Sequence, residues 1–147
     1  MLISYNWIKK YVKDLPEPKE LADLLTFHLC EVEDVENLNG DTVLNLNILP
    51  DRAHDLLSHK GVAREIAGML GLDFNEQGGI EKIDIGDTKQ TELKIEVESD
   101  LCRRYVGRIV KNIKIQKSPD WLVERLSSVG QKSINNIVDI SNYIMFD

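Results

Sequence analysis

The apolar positions at the start of the chain recur at helical spacing. Trp7, Ile8, Tyr11 and Val12 share one face behind Ser4, a residue suited to cap the first free amides of a helix. The run from Asp14 to Pro18 ends that helix and opens a second, because proline has no amide hydrogen and fits only a first turn. Leu21, Leu24, Leu25 and His28 form the inner face of this second helix, with His28 expected as a core histidine. From Glu31 to Glu36 acidic residues alternate with apolar positions, as in a half-buried strand. Asn39-Gly40-Asp41 predicts a tight turn, and Val43 to Leu49 a more apolar strand ending at Pro50, so the pair reads as an antiparallel hairpin. A third helix is expected over Leu56–Leu70, with Val62, Ile66, Met69 and Leu70 as its stripe and Gly71 as its stop.

Residues 73–91 are rich in Gly, Asp, Glu, Lys and Gln and read as a linker. Beyond them, Leu93, Ile95 and Val97 alternate with charged residues, and Tyr105–Ile115 predicts another strand. Ser118-Pro119 then starts a helix with Trp121, Leu122, Leu126 and Val129 inside, closed by Gly130. A last amphipathic stretch starts near Asn135 or Asn136, with Ile134, Ile137, Val138, Ser141 and Met145 at helical spacing. It stops at Asp147 with its apolar face still running, so a chain cut within a domain is expected. The predicted class is α+β in two small modules. The first, over 1–72, has the order helix, helix, hairpin, helix; the second spans 92–147.

Composition narrows the function. The chain has 147 residues, 42% hydrophobic and 29% charged, which suits one ordinary domain or two small ones. A net charge of −7 excludes a general nucleic-acid binder that works by charge alone. The basic residues Arg103, Arg104, Arg108, Lys111, Lys114 and Lys117, with Tyr105 among them, would be split between two faces by strand alternation, and read as a solvated edge. Cys30 and Cys102 are isolated, as in a reducing cytoplasm. Neither a signal peptide nor a stretch of membrane-spanning length is visible, so a soluble, cytoplasmic protein is expected.

Candidate chemistry is sparse. Asp73 to Asp84 places oxygen side chains and Gly78 at several positions of a calcium loop, yet Ile85-Gly86-Asp87 cannot continue into the required exit helix, so the stretch reads as linker. His54, Asp55 and His59 do not share one helical face, and no metal site is assigned to them. No phosphate-binding loop and no recognisable nucleophile motif is present. From the residues alone, no active site follows.

Three ordered segments resemble the bacterial phenylalanyl-tRNA synthetase beta subunit. The first is MLISYNWIKKYV at 1–12, with LADLLT at 21–26 and EVE at 31–33. The second, LNILPDRAHDLLSHKGVAREIA at 46–67, is similar to the family's Pro-Asn-Arg-x-x-Asp stretch and the Gly-x-Ala-Arg-Glu helix after it. The third comprises CRRY at 102–105, SPDWL at 118–122, Gly130 and INNIVDISNY at 134–143. Plain structural roles are expected for several matched residues: Trp7 and Trp121 as core anchors, Gly61 for close packing, and Arg64 paired with a nearby carboxylate.

The resemblance implies an ATP- and magnesium-dependent ligase that charges tRNA-Phe and edits mischarged Tyr-tRNA, in a heterotetramer with a separate alpha subunit. Residues 92–147 would begin its editing domain, and Asn142 matches an asparagine that helps hold the amino acid in the editing pocket. The family's following Gln-Pro-x-His run would lie after Asp147, so this chain alone is expected to be inactive and to carry no cofactor. The chain departs from the family pattern twice. Only Asn37–Asp41 lies where an OB-fold domain is usually inserted, and Asp51 replaces the motif's asparagine. A shortened editing domain should leave apolar surface exposed, with aggregation or local disorder in residues 134–147. The rival is a free-standing module that binds tRNA or the synthetase without catalysis.

Overall fold

The computed structural model describes residues 1–76 and 93–147. The architecture is α+β and the chain divides into two compact units, one of Met1–Glu81 with Gln116–Asp147, the other Lys82–Ile115. Helices α5 (Asp120–Ser128) and α6 (Asn136–Phe146) therefore belong to the same compact unit as the amino-terminal residues.

The sheet of the first unit has three strands in the order β1–β3–β2, all antiparallel: β1 (Leu2–Ser4), β2 (Val32–Leu38) and β3 (Asp41–Leu46). The hairpin forms as its sequence requires, because Asn39 (φ 53°) and Gly40 (φ 82°) both adopt the left-handed backbone that a two-residue turn demands. Leu38 pairs with Asp41 beside the turn, and a register shift between Val32 and Asp34 bends the far end. Strand β3 lies between two partners and buries Val43, Leu44 and Leu46. In strand β2 Val32, Val35 and Leu38 are each partly covered, while its acidic residues line an exposed edge.

Ser4 caps α1 (Tyr5–Ile8) by accepting from the Trp7 amide at 3.0 Å. The helix is a single turn that buries Trp7 and Ile8, and the residues after it still bury Tyr11 and Val12 as their spacing predicted. Helix α2 (Pro18–His28) starts with Pro18 in its first turn and buries Leu21, Ala22 and Leu25. His28, expected in the core, is exposed at the last position of the helix.

The helix expected over Leu56–Leu70 is two helices, α3 (Ala53–Leu56) and α4 (His59–Leu70), separated by the cap of Ser58, whose oxygen accepts from Gly61 at 2.9 Å. Gly71 ends α4 with a left-handed φ of 65°. A Cβ on Gly61 would fall 1.7 Å from the Asp55 carbonyl oxygen, so only glycine lets the two helices approach this closely. The core joins Ile3, Trp7, Leu25, Leu44, Leu56 and Ile66 to Leu122 and Leu126 of α5.

Residues 93–115, in the second unit, carry none of the predicted strands. Their large apolar side chains are 42% exposed at Leu93 and Ile95 and 95% at Leu101. Alternation supplies a strand's face, but a strand persists only where a neighbouring ladder and a covering layer take up its bonds and side chains. Gly107 packs under Leu93 and Ile95, where a Cβ would meet Leu93 Cδ2 at 2.6 Å. The calcium-loop candidate lies outside the described residues from position 77 onward. Among the described residues, no helix is long and apolar enough to cross a membrane.

Candidate functional site

The site residue singled out by sequence, Asn142, lies on α6, so the site is built from what holds that helix. At its start, Asn135 accepts from the Ile137 and Val138 amides at 3.0 and 3.1 Å. Asn136 closes a two-way link with Gln116, donating its own amide at 3.0 Å and accepting through its side chain at 3.1 Å. Asp139 is wholly buried. Its carboxylate accepts from the Ser118 hydroxyl at 2.5 Å, the Ser133 hydroxyl at 2.6 Å and the Ile134 amide at 2.9 Å. Burial pushes this carboxyl up, but hydrogen bonds from Ser118, Ser133 and the backbone outweigh it and hold it below the usual carboxylate range. Sequence reading missed Asp139, although Ser118, Ser133, Asn135 and Asp139 together are a capping-rich composition.

The far end of α6 is held by the amino-terminal residues. The Trp7 ring lies between His59, at a centroid distance of 4.0 Å, and Tyr143, at 4.8 Å, both nearly parallel to it. His59 is buried and bonded on both ring nitrogens: Nε2 accepts from the Ser4 amide at 3.0 Å, and Nδ1 lies 2.7 Å from the Phe146 carbonyl oxygen. An amide donor on one side and a carbonyl acceptor on the other fix a neutral ring with its hydrogen on Nδ1. Burial lowers the His59 pKa to about 4, only partly offset by the Phe146 carbonyl and Asp147. Trp7 Nε1 and the Tyr11 hydroxyl donate to one Asp147 carboxylate oxygen at 2.7 and 2.5 Å, and the Lys60 amide donates to the Asp147 carbonyl at 2.7 Å. Burial first, and then this bond to Asp147, push the Tyr11 phenol upward.

Arg125 of α5 sits among Trp7, Trp121 and Tyr143 with ring centroids 5.3–5.7 Å from its guanidinium carbon, and donates to the Tyr143 hydroxyl at 2.9 Å. Trp121, expected as a core anchor, is 52% exposed and meets Tyr143 edge-on. Residues Leu122 and Leu126 take the buried face of α5 instead. An open groove of about 540 Å³ lies beside them, lined by Asn6, Lys10, Asp41, Trp121, Glu124 and Arg125.

Asn142 is half-buried, and its side chain makes no hydrogen bond to a described residue. Residues 136–146 form a helix anchored at both ends. Its apolar stripe faces outward, with Ile140, Ile144 and Met145 more than half exposed. His54, Asp55 and His59 do not converge: His54 is exposed, 3.9 Å from Asp55, while His59 is in the core. Asp55 is instead bound by Arg52, which also reaches Glu65, at 2.7 and 3.0 Å. The hydrogen bond from Arg52 lowers the Asp55 carboxyl. Arg64, expected to pair with a carboxylate, lies over the Phe74 ring at 5.6 Å. Cys30 is half-buried with its thiol pushed up by burial, and Cys102 is exposed.

Comparison with known proteins supplies what this geometry lacks. The B3/4 domain family matches residues 101–147, a stretch that begins in the second unit and ends in the first. The phenylalanine–tRNA ligase beta subunit of Fusobacterium nucleatum is 43% identical over 121 residues, covering 80% of this chain and 14% of that protein. That of Clostridium tetani is 41% identical over 121 residues, again 80% and 14%. That of Rhodopirellula baltica is 35% identical over 154 aligned residues, covering 100% of this chain and 21% of that protein. An alignment so little longer than the chain leaves no room for a domain-sized insertion between the first and second segments of that relative either. The chain thus spans about a fifth or less of the length of the curated relatives it matches. Over 80–100% of its length, then, the chain is similar to phenylalanine–tRNA ligase beta subunits, at 35–43% identity.

Proposed function

We propose that this chain forms the amino-terminal part of a phenylalanine–tRNA ligase beta subunit and contributes architecture and one side of an editing pocket. The carrying observation is the match of the whole chain to one stretch of the Rhodopirellula beta subunit. The buried ties of α6 to residues 1–76 support it, since they give the B3/4 stretch a fixed platform. In the assembled cytoplasmic enzyme, ATP and Mg²⁺ serve the charging of tRNA-Phe with an alpha subunit, and neither is bound by this chain. The beta subunit clears mischarged Tyr-tRNA, with Asn142 holding the amino acid.

The test is a chimera in which residues 1–147 replace the matching stretch of the Rhodopirellula beta subunit, assembled with its alpha subunit. Assembly and wild-type phenylalanine charging are expected, and an unassembled, inactive chimera contradicts the proposal. The isolated chain should neither charge tRNA nor hydrolyse Tyr-tRNA. A second function, a free-standing binding module, is favoured by one observation: residues 116–147 join 1–76 in one compact unit. An intact mass of 16.8 kDa for the protein from its native host would favour that module, and a much larger mass the ligase subunit.

A further inference from the structure

We infer that Trp7, Tyr11 and His59 are positioning residues for Asn142, so that residues of the amino-terminal stretch set the geometry of the editing pocket through α6. This rests on the editing role proposed for Asn142.

The two kinds of contact fix different coordinates of α6. Tyr143 follows Asn142 directly, and its ring lies within 6° of parallel to Trp7, which sets the rotation of α6 about its axis. The bonds from His59 to the Phe146 carbonyl and from Trp7 and Tyr11 to Asp147 act end-on and set its position along that axis. Exposed Ile140, Ile144 and Met145 on the opposite side add no such constraint among the described residues. His59 suits the task because a neutral imidazole accepts from Ser4 and donates to Phe146 in one rigid plane, against a Trp7 ring 4.0 Å away. Binding groups need placement to within about 0.5 Å, and an error of about 1 Å from a distant substitution costs about a hundredfold in rate.

The test uses the complete beta subunit assembled with its alpha subunit, with Asn142→Ala, His59→Gln and the double variant Trp7→Phe/Tyr11→Phe. The double variant keeps the ring stack and removes the two donors to Asp147, so it is expected to fold. It should lower kcat for Tyr-tRNA hydrolysis by about ten- to a hundredfold and leave phenylalanine charging unchanged. His59→Gln should fall between it and wild type, since an amide cannot serve Ser4 and Phe146 in the same plane. Equal loss of charging and hydrolysis would mean a merely structural role and overturn the inference. Loss in Asn142→Ala with wild-type hydrolysis in the other variants would also overturn it. If Asn142→Ala hydrolyses normally, the editing role of Asn142 fails, and the positioning is judged on the 147-residue chain by the Asn142 side-chain amide resonances. A shift in the double variant supports positioning, and unmoved resonances overturn it.

Discussion

Residues 43–46 and 105–115 both read as strands from their apolar side chains, and only one of the two stretches becomes a strand. Strand β3 lies between β1 and β2, and buries Leu44 and Leu46 in the core while Val43 is buried on the opposite face. Residues 105–115 have comparable apolar content but leave Val106, Val110 and Ile115 about two-thirds exposed or more. A strand's identity therefore resides in its neighbours more than in its own residues. The same contrast separates the two faces of α6. The face that meets Trp7 and Ser118 is polar and aromatic yet buried, while the aliphatic face is open.

If burial against partners makes the difference, substitutions in the first unit should be costly and those in 93–115 nearly silent. Trp7→Ala removes the ring that joins His59 to Tyr143, and should destabilise by about 3–5 kcal/mol, read as a lower urea midpoint. The next effect is one of pH. An exposed histidine ionises near 6.5 and buried His59 only near 4, so between these values the unfolded chain binds the extra proton. The stabilisation is full above pH 6.5 and is lost as pH falls toward 4, by roughly 3 kcal/mol. In His59→Gln that part of the pH dependence should be missing from the unfolding curves.

Gly61→Ala drives a methyl into the Asp55 carbonyl and should cost about 1–3 kcal/mol, with α3 and α4 forced apart. Gly40→Ala meets open space but keeps a φ of 82°, so about 1 kcal/mol is expected. At the other extreme, Val106→Ser should change stability by less than about 0.5 kcal/mol. A large loss there would erase the contrast between the two regions.

Local chemistry was legible where it acts within a few residues. The Ser4 cap, Pro18 in a first turn, the Asn39-Gly40 turn, the Gly71 stop and the Asn135 cap all stand where their side-chain and backbone chemistry demands. What stayed hidden depends on distant partners. Strand β1 is three residues long and exists only because β3 offers an edge. His59 and Asp147 look like ordinary polar residues until the fold sets them against Trp7. Helical spacing marked Ile137 and Met145 as an inner face, but it cannot rank that face against one carrying Asp139 and Tyr143. Three hydrogen bonds make burial of the Asp139 carboxylate favourable, and one of their donors, Ser118, lies 21 residues away in sequence. Asn142 became visible through family resemblance, since nothing about an isolated asparagine on a helix points to a ligand.

The central claim is that α6 is held by the amino-terminal residues as one cooperative unit. Native-state hydrogen exchange on the 147-residue chain tests it most directly. The account predicts that the α6 amides of Tyr143 to Phe146 open with the same free energy as those of Val43 to Leu46, and that 105–115 exchange far faster. Fast exchange in α6 alongside a protected β3 would contradict it.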